Sequence, residues 1–395
     1  MQSYDSTRVA FLLGSGVSLP AGMSSTAEIT ERVLSGEGVW QHTNSIYYVG
    51  EDRSLPNRAA YVPAVLEFLR RLKAEIDQYY RFHPVRRTNY EDLYYVASQI
   101  EDSESGEYDN PAVQPLIDKI LPEIQPVLVG NEDEGGPEWE LHKLAGESTN
   151  YIQDVVWHSV DEEPTRSDHL DWMKAACTDH RLSSVDVFTL NHDTVLEQCL
   201  SKNSVPFADG FGELVNRVRY WNPDSFDELP RVRLFKLHGS VKWFQFRNGS
   251  VGIPLDGDIW HTKDPAGNMQ LPLEGRPVIL AGTFNKMLKY TNGIYSDLHC
   301  EFHRSLRHTW RLVICGYGFG DKGINTRIVE WVYSSPDRRL TIVHPEPEDL
   351  RRAARGAISM NWDRWETEHR MTIIPKAIEQ ASWQDIWDSL FGSEG

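Results

Sequence analysis

The chain of 395 residues is 40% hydrophobic and 25% charged, which is the composition of an ordinary globular protein with a sizeable core. Its 58 acidic residues exceed its 40 basic residues, and the formal net charge of −18 opposes unassisted binding to nucleic acid. No stretch approaches the roughly 20 apolar residues of a membrane span, and the N-terminus lacks the pattern of a secretory signal, so we expect a cytoplasmic protein with no membrane contact.

Short apolar runs rich in β-branched residues predict buried strands of a parallel sheet at 8–13, 185–190, 233–237, 277–282, 311–316 and 339–345. Helical patterns follow most of these runs, at 25–34, 193–200, 324–333 and 346–355. This alternation predicts an α/β fold, a Rossmann-like open parallel sheet of about six strands with helices on both faces.

The alternation of strands and helices stops between residues 40 and 181. Apolar residues there recur at helical spacing, as in Val62, Leu66, Leu69, Leu72 and Ile76, and the segments 89–100 and 111–124 are similar. We therefore predict a large, mostly helical insertion, residues 40–181, after the first strand–helix unit of one domain that spans residues 1–395.

The C-terminal extension, residues 346–395, is rich in tryptophan. Its segment 382–390 predicts a helix with Trp383, Trp387 and Leu390 on one face. Packing of this face on the core is the simplest explanation, and an oligomer contact is the alternative.

The four cysteines, Cys177, Cys199, Cys300 and Cys315, are widely separated, and no two have the close spacing of a zinc knuckle or a redox dithiol. We expect reduced and mostly buried thiols. The histidines at 158, 169 and 180 also lack the spacing of metal ligands, so no metal is expected.

A glycine-rich turn, Gly14-Ser15-Gly16, follows the first predicted strand. Such a turn lets the backbone approach a pyrophosphate closely. The fingerprint of a dehydrogenase would place its third glycine where Leu19 stands, whereas the next glycine is Gly22. A hydride-transfer enzyme is therefore disfavoured.

Polar or glycine-rich segments also follow three later strands. Asn191 and Asp193 follow 185–190, His238 follows 233–237, and the run 311–316 ends at Gly316 and is followed by further glycines. Polar residues at the carboxyl ends of parallel strands converge on one crevice. Each segment alone has a simpler explanation, as a helix cap, a structural histidine or a turn. Their coincidence in one chain favours a shared site.

The opening glycine and serine pattern, "TLNHD", "KLHGS" and "GYGFGD" followed by "IN", in this order, resemble the sirtuin-like superfamily. They are most similar to its bacterial anti-phage branch, whose members hydrolyse NAD. The resemblance covers most of the chain outside the insertion. The sequence lacks the paired cysteines that hold structural zinc in protein-deacylating sirtuins, and its first loop continues with Met23 and two serines. Both departures count against a deacylase.

The resemblance implies an NAD+ glycohydrolase that releases nicotinamide and ADP-ribose, with NAD as substrate. Asn191 and His238 are the implied catalytic residues. Asp193, the third candidate catalytic residue, would orient neighbouring groups or stabilise positive charge. The expected NAD-binding residues are Gly14, Ser15, Gly16, Ser18, Gly22, Gly282, Thr283, Asn285, Gly316, Tyr317, Gly318, Asn325 and His344.

Three alternatives stay open on the sequence: an NAD-dependent protein deacylase, a non-catalytic NAD or ADP-ribose sensor, and a structural subunit of an ATPase complex. An unrestrained NAD hydrolase would kill its own cell, so we expect a gated effector. The resemblance suggests a homo-oligomer with a HerA-type hexameric ATPase as partner, or else a short Argonaute. The acidic composition favours a basic protein partner over direct contact with nucleic acid.

Overall fold

The computed structural model describes residues 7–50, 58, 60–83, 85–106, 110–129, 138–215, 217–227, 231–246, 249–255, 262–263, 269–270, 272–282 and 285–392. The described chain divides into two compact units. The first unit comprises 1–23, 161–280 and 286–395, and the second comprises 24–160 and 281–285.

The first unit is built on a seven-stranded parallel sheet, in agreement with the predicted Rossmann-like α/β class. Its strands are β1 (Arg8–Leu13), β4 (Ser184–Thr189), β5 (Phe207–Ala208), β8 (Val232–Lys236), β14 (Arg311–Cys315), β15 (Arg339–Val343) and β16 (Met371–Ile374). Their order across the sheet is β16-β15-β14-β1-β4-β8-β5. β1, β4, β8, β14 and β15 match predicted runs, whereas β5 and β16, at the two edges, were not predicted.

Helices cover both faces of this sheet, because alternate residues of each strand point to opposite sides. Ala10 and Leu12 belong to one buried apolar cluster, and Val9, Phe11 and Leu13 belong to another. The helices of the first unit are α6 (Asp171–Thr178), α7 (Val195–Lys202), α8 (Asn285–Lys289), α9 (Gly293–His308), α10 (Lys322–Tyr333), α11 (Pro347–Ala353), α12 (Gly356–Ser359), α13 (Trp362–Thr367) and α14 (Trp383–Phe391).

A five-stranded sheet with antiparallel neighbours, order β13-β9-β10-β7-β6, is formed by two strands between β5 and β8 in the chain and three strands after β8. Its strands are β6 (Phe211–Val215), β7 (Val218–Trp221), β9 (Gly239–Phe246), β10 (Val251–Pro254) and β13 (Pro272–Ile279). β11 (Thr262–Lys263) and β12 (Met269–Gln270) form a separate pair. The prediction that 277–282 is a strand of the parallel sheet was therefore wrong. Residues 277–279 of this segment are the end of β13, because β9 leaves β8 almost directly and offers β13 an antiparallel partner.

The second unit is mainly helical, as the pattern within the insertion predicted. It contains α1 (Thr26–Ser35), α2 (Tyr61–Tyr80), α3 (Tyr90–Glu104), α4 (Gln114–Val129), α5 (Leu141–Val160) and the hairpin of β2 (Val39–Gln41) and β3 (Tyr47–Val49). Capping boxes at Ser25 and Asn89 begin α1 and α3 by satisfying free backbone N–H groups. Helix α6, within the predicted limits 40–181, belongs to the first unit.

The C-terminal helix α14 packs on the core of the first unit, as the simpler interpretation of its tryptophans predicted. Trp383, Ile386, Trp387 and Leu390 are buried in the same cluster as the β1 residues Val9 and Phe11. The guanidinium of Arg181 lies 3.5 Å from the centre of the Trp387 ring. Trp383 and Trp387 are thus buried by contacts within the chain itself.

Replacing Trp387 by alanine is expected to lower the free energy of unfolding by about 3–5 kcal/mol, because a large buried ring leaves a cavity. Urea unfolding followed by circular dichroism measures this loss. Gln384→Ala, on the exposed side of the same helix, is the control and should change stability by less than about 0.5 kcal/mol. Equal stability of the two variants would contradict the packing described for α14.

No helix in the described part of the chain is long and apolar enough to cross a membrane. Cys177, Cys199 and Cys315 are buried free thiols, and Cys300 is an exposed one, as expected for cysteines that do not pair.

Candidate active site

The strand register places Asn191 and His238 at equivalent positions beyond two neighbouring strands. β4 and β8 are parallel, and Thr189 pairs with Lys236 at the end of both. Asn191 and His238 each follow two residues later. On the other side of β4, Thr189 also pairs with Leu13, the last residue of β1. The loops that carry the predicted residues therefore all leave the sheet at the carboxyl ends of its parallel strands.

Gly14 and Gly16 in the first loop, residues 14–22, allow close packing against the loop after β14. The N–H of Gly16 donates to the carbonyl oxygen of Gly316 at 3.0 Å. A Cβ on Gly14 would lie 2.5 Å from that same oxygen. Gly316 has a φ of 63°, and its Cβ would meet the backbone nitrogen of Val17 at 2.5 Å. By contrast, Gly318 is exposed and has open space around its Cβ position.

The side chain of Asn191 has a defined orientation. Its Nδ2 donates to the carbonyl oxygen of Gly14 at 3.1 Å and to Oγ of Ser18 at 2.9 Å. Because a carbonyl oxygen can only accept, the amide nitrogen must face the loop. Within the described residues no group donates to Oδ1 of Asn191. The oxygen of this half-buried amide is thus available to accept a hydrogen bond from a ligand.

A network of buried polar groups supports the turn that carries Asn191. Nζ of Lys236 donates to the carbonyl oxygen of Asp193 and lies 2.9 Å from Oε1 of Glu197. Oδ1 of Asp193 accepts from the N–H of Val195 at 3.0 Å, so its carboxylate holds the turn just before α7, whose N-cap residue is Thr194. The simpler interpretation, that Asp193 is a helix cap, is therefore replaced by a turn contact. A catalytic role for Asp193 stays a prediction.

A small cavity of about 10 Å³ lies beside this network, with room for one water molecule. Its polar lining is formed by Ser18, Thr189, Asn191, Asp193, Glu197 and Lys236. Burial raises the pKa of Glu197, and the nearby ammonium of Lys236 opposes that rise.

His238 is buried and lies in a hydrogen-bonded group with Tyr290 and Asp321. Its Nε2 is 3.2 Å from the hydroxyl oxygen of Tyr290 and 3.3 Å from Oδ2 of Asp321. The Tyr290 hydroxyl donates to Oδ2 of Asp321 at 2.5 Å. Oδ1 of Asp321 accepts from the N–H of Ile324 at 3.1 Å and caps α10. The imidazole is therefore held at two neighbouring oxygen atoms.

The electrostatic surroundings favour an ionised Asp321. Burial alone would raise its pKa, but the hydrogen bond and charge of His238, together with Lys286 and the Tyr290 hydroxyl, lower it overall. Two other histidines nearby are held neutral. Burial, with the charge of His238 next, lowers the pKa of His192 well below its usual value and that of His299 to about 3.

Gly239, directly after His238, has a left-handed φ of 81°, and a Cβ there would lie 2.0 Å from the carbonyl oxygen of Val278. Gly239→Ala should therefore unfold more readily than Gly249→Ala, a matched control with φ 82° and open space around its Cβ. We expect a loss of about 1–2 kcal/mol for the control from backbone strain. Overpacking should add about 1–3 kcal/mol at Gly239. Equal midpoints in urea for the two variants would contradict this account.

Several predicted NAD-binding side chains have contacts within the protein. The Tyr317 hydroxyl donates to Oδ1 of Asn325 at 2.9 Å, and Asn325 donates to the carbonyl oxygen of Phe319, so both hold the loop after β14. Nδ1 of His344, beyond β15, accepts from the N–H of Glu346. Ser15 is exposed in the first loop. Ligand contacts of all four predicted residues stay predictions.

Gly22 packs against Thr165, with its Cβ position 3.1 Å from the threonine side chain. Gly282 belongs to the second unit, where it has a φ of 87°. Thr283 and the side chain of Asn285 lie outside the described residues, so their part in the site stays a prediction.

Sequence reasoning missed Asp321 and Tyr290 as partners of His238. Asp321 stands in the quoted motif "GYGFGD", but it was treated only as part of a glycine-rich turn. Tyr290 belongs to no motif and is 52 residues from His238 in the chain, so no local signal could have found it. In the described part of the chain no three His, Cys, Asp or Glu side chains are arranged to hold a metal.

A family model described as a SIR2-like domain matches residues 185–369. No curated protein shows significant similarity to the chain. The matched segment contains Asn191, His238, Tyr290 and Asp321. The first loop precedes this segment, and β1, the strand before that loop, pairs with β14 and β4. The match supports a SIR2-like family and, with it, an NAD-related activity.

Proposed function

We propose that the protein is an NAD+ glycohydrolase. The observation that carries the proposal is the placement of Asn191 and His238 beyond adjacent strands, with Oδ1 of Asn191 facing no donor in the described residues. The match to a SIR2-like domain favours NAD as the substrate. Exposed Gly318 and Gly320, with open space around their Cβ positions, leave room for the dinucleotide beside the first loop.

The reaction breaks the bond between C1′ of the ribose and the pyridinium nitrogen of nicotinamide. The electron pair of this bond neutralises the pyridinium, so no acid is needed to expel the leaving group. The oxygen of a water molecule bonds to C1′ and loses one proton. The products are ADP-ribose, nicotinamide and a proton.

Asn191 would hold the attacking water or a ribose hydroxyl through its Oδ1, while its Nδ2 stays on the first loop. His238 would take the proton, because an imidazole has an unperturbed pKa of about 6.5 and exchanges protons near neutral pH. Polar groups near the ribose carbon would stabilise the positive charge that develops on it. Oδ1 of Asn191 is one such group.

Incubation of the purified chain with NAD, followed by chromatography of the products, tests this proposal. Release of nicotinamide and ADP-ribose without a peptide supports the hydrolase. Turnover that requires an acetylated peptide would replace the hydrolase with a deacylase. Binding of NAD without turnover, alone and with its partner protein, would contradict both activities.

We further propose that the activity is gated by assembly and depletes NAD in anti-phage defence, with a HerA-type ATPase as the first partner to test and a short Argonaute as the second. The net charge of −18 favours a partner with a basic contact surface. Adding the partner to the NAD assay should raise the rate of nicotinamide release. An unchanged rate with a partner that binds would contradict gating by that partner.

A further inference from the structure

We infer that Tyr290 and Asp321 are positioning residues that hold the imidazole of His238 in the tautomer with its hydrogen on Nε2. The neutral imidazole then carries its basic lone pair on Nδ1. This inference rests on the proposed function, in which His238 takes a proton from the attacking water or a ribose hydroxyl.

The assignment of the tautomer follows from the donors and acceptors around Nε2. An ionised carboxylate only accepts hydrogen bonds, so the Tyr290 hydroxyl must donate its single hydrogen to Oδ2 of Asp321, 2.5 Å away. Towards Nε2, 3.2 Å away, this hydroxyl can therefore act only as a hydrogen-bond acceptor. Both atoms near Nε2, the hydroxyl oxygen and Oδ2 of Asp321 at 3.3 Å, are acceptors. Nε2 must carry the hydrogen.

Both partners are held in place by contacts of their own. The Tyr290 ring stacks on the imidazole of His299, with centroids 3.7 Å apart and planes 28° apart. The other oxygen of Asp321 is held by the N–H of Ile324 at the start of α10. The pair can therefore orient the His238 ring without moving when the ring gains or loses a proton.

The charged groups around His238 determine how Tyr290 and Asp321 affect the balance between its protonated and neutral imidazole. Among the described residues, Asp321 before α10, Tyr290 after α8, His192 after β4 and His299 in α9 interact with it, and Lys286 in α8 acts on Asp321 and His192. His192 and His299 are neutral near pH 7, because burial strongly lowers the pKa of each. Among these groups Asp321 alone is negative. It favours the protonated imidazole, and Lys286 opposes it.

Asp321→Asn removes the negative charge but keeps a side chain that can cap α10, because asparagine caps a helix about as well as aspartate. We expect kcat for NAD hydrolysis to fall about 10- to 100-fold with little change in KM, the effect typical of losing an orienting partner. The acid limb of the kcat–pH profile should move to lower pH, because no carboxylate then favours the protonated ring. Tyr290→Phe keeps the stack on His299, and we expect about a tenfold loss of kcat.

Tyr333→Phe is the matched control, because it removes a hydroxyl that donates to Oδ1 of Asn361 on the exposed side of α10. It should leave kcat and the pH profile unchanged. The second readout is the ¹⁵N spectrum of the histidine side chains, with the signals of His238 assigned from their loss in His238→Gln. In the wild type Nε2 should give the signal of a protonated nitrogen, and Asp321→Asn should shift it.

Lower kcat in both variants with an unmoved acid limb and unchanged ¹⁵N signals would show a merely structural role and overturn the inference. A wild-type protein that releases no nicotinamide, alone or with its partner, would instead contradict the proposed function. The ¹⁵N spectrum decides the tautomer in either case. A hydrogen found on Nδ1 rather than Nε2 in the neutral ring would also overturn the inference.

Discussion

Replacing His238 by glutamine is expected to abolish measurable NAD hydrolysis, with a loss of at least about 10²- to 10⁴-fold in kcat, the usual contribution of a general base. Glutamine retains an N–H donor for the oxygens of Tyr290 and Asp321 but cannot take up a proton. His238→Ala should be equally inactive and also less stable, because it leaves the buried carboxylate of Asp321 without the imidazole N–H beside it. Nicotinamide release measured by chromatography gives the rates.

His180→Ala, an exposed histidine of the same unit, is the control for His238 and should hydrolyse NAD at the wild-type rate. The thermal midpoint of each variant shows whether it is folded. A folded His238→Gln protein with wild-type kcat would disprove the role of His238. It would also remove the basis for the positioning role of Tyr290 and Asp321 in hydrolysis.

Replacing Asn191 by alanine should likewise abolish hydrolysis, because it removes both the free Oδ1 and the hydrogen bonds to Gly14 and Ser18. Asn191→Asp tests the orientation of the amide. Its carboxylate retains oxygen atoms for the water but places one of them against the carbonyl oxygen of Gly14, which cannot donate. We therefore expect Asn191→Asp to be inactive too.

Ser18→Ala tests a partial loss of the contacts that hold the Asn191 amide. It removes one acceptor of the Asn191 amide and leaves the contact with Gly14, so a loss of about tenfold in kcat is expected. Gln384→Ala removes an exposed amide on α14 and should have no effect. Wild-type activity in Asn191→Asp would show that the amide nitrogen is not needed on the first loop and would contradict the geometry assigned here.

The main strands and several helices followed from local patterns. β1 occupies the predicted run at residues 8–13, and β14 and β15 lie within the predicted runs at 311–316 and 339–345. The buried face of α14 was also predicted from its tryptophans. Short apolar runs and helical spacing report burial directly, since the periods of strands and helices differ. The sheet partner of β13 was mispredicted, because an apolar run does not show which strand it pairs with.

Local sequence therefore determined that the chain is α/β and that Asn191 and His238 stand directly after buried strands, because the polar residue ending an apolar run is a local feature. The tertiary structure alone decided that the Asn191 amide donates to the first loop and that Nε2 of His238 meets Tyr290 and Asp321. Tyr290 is 52 residues from His238 and 31 from Asp321 along the chain. Contacts over such separations depend on strand order and loop path, which no local pattern contains.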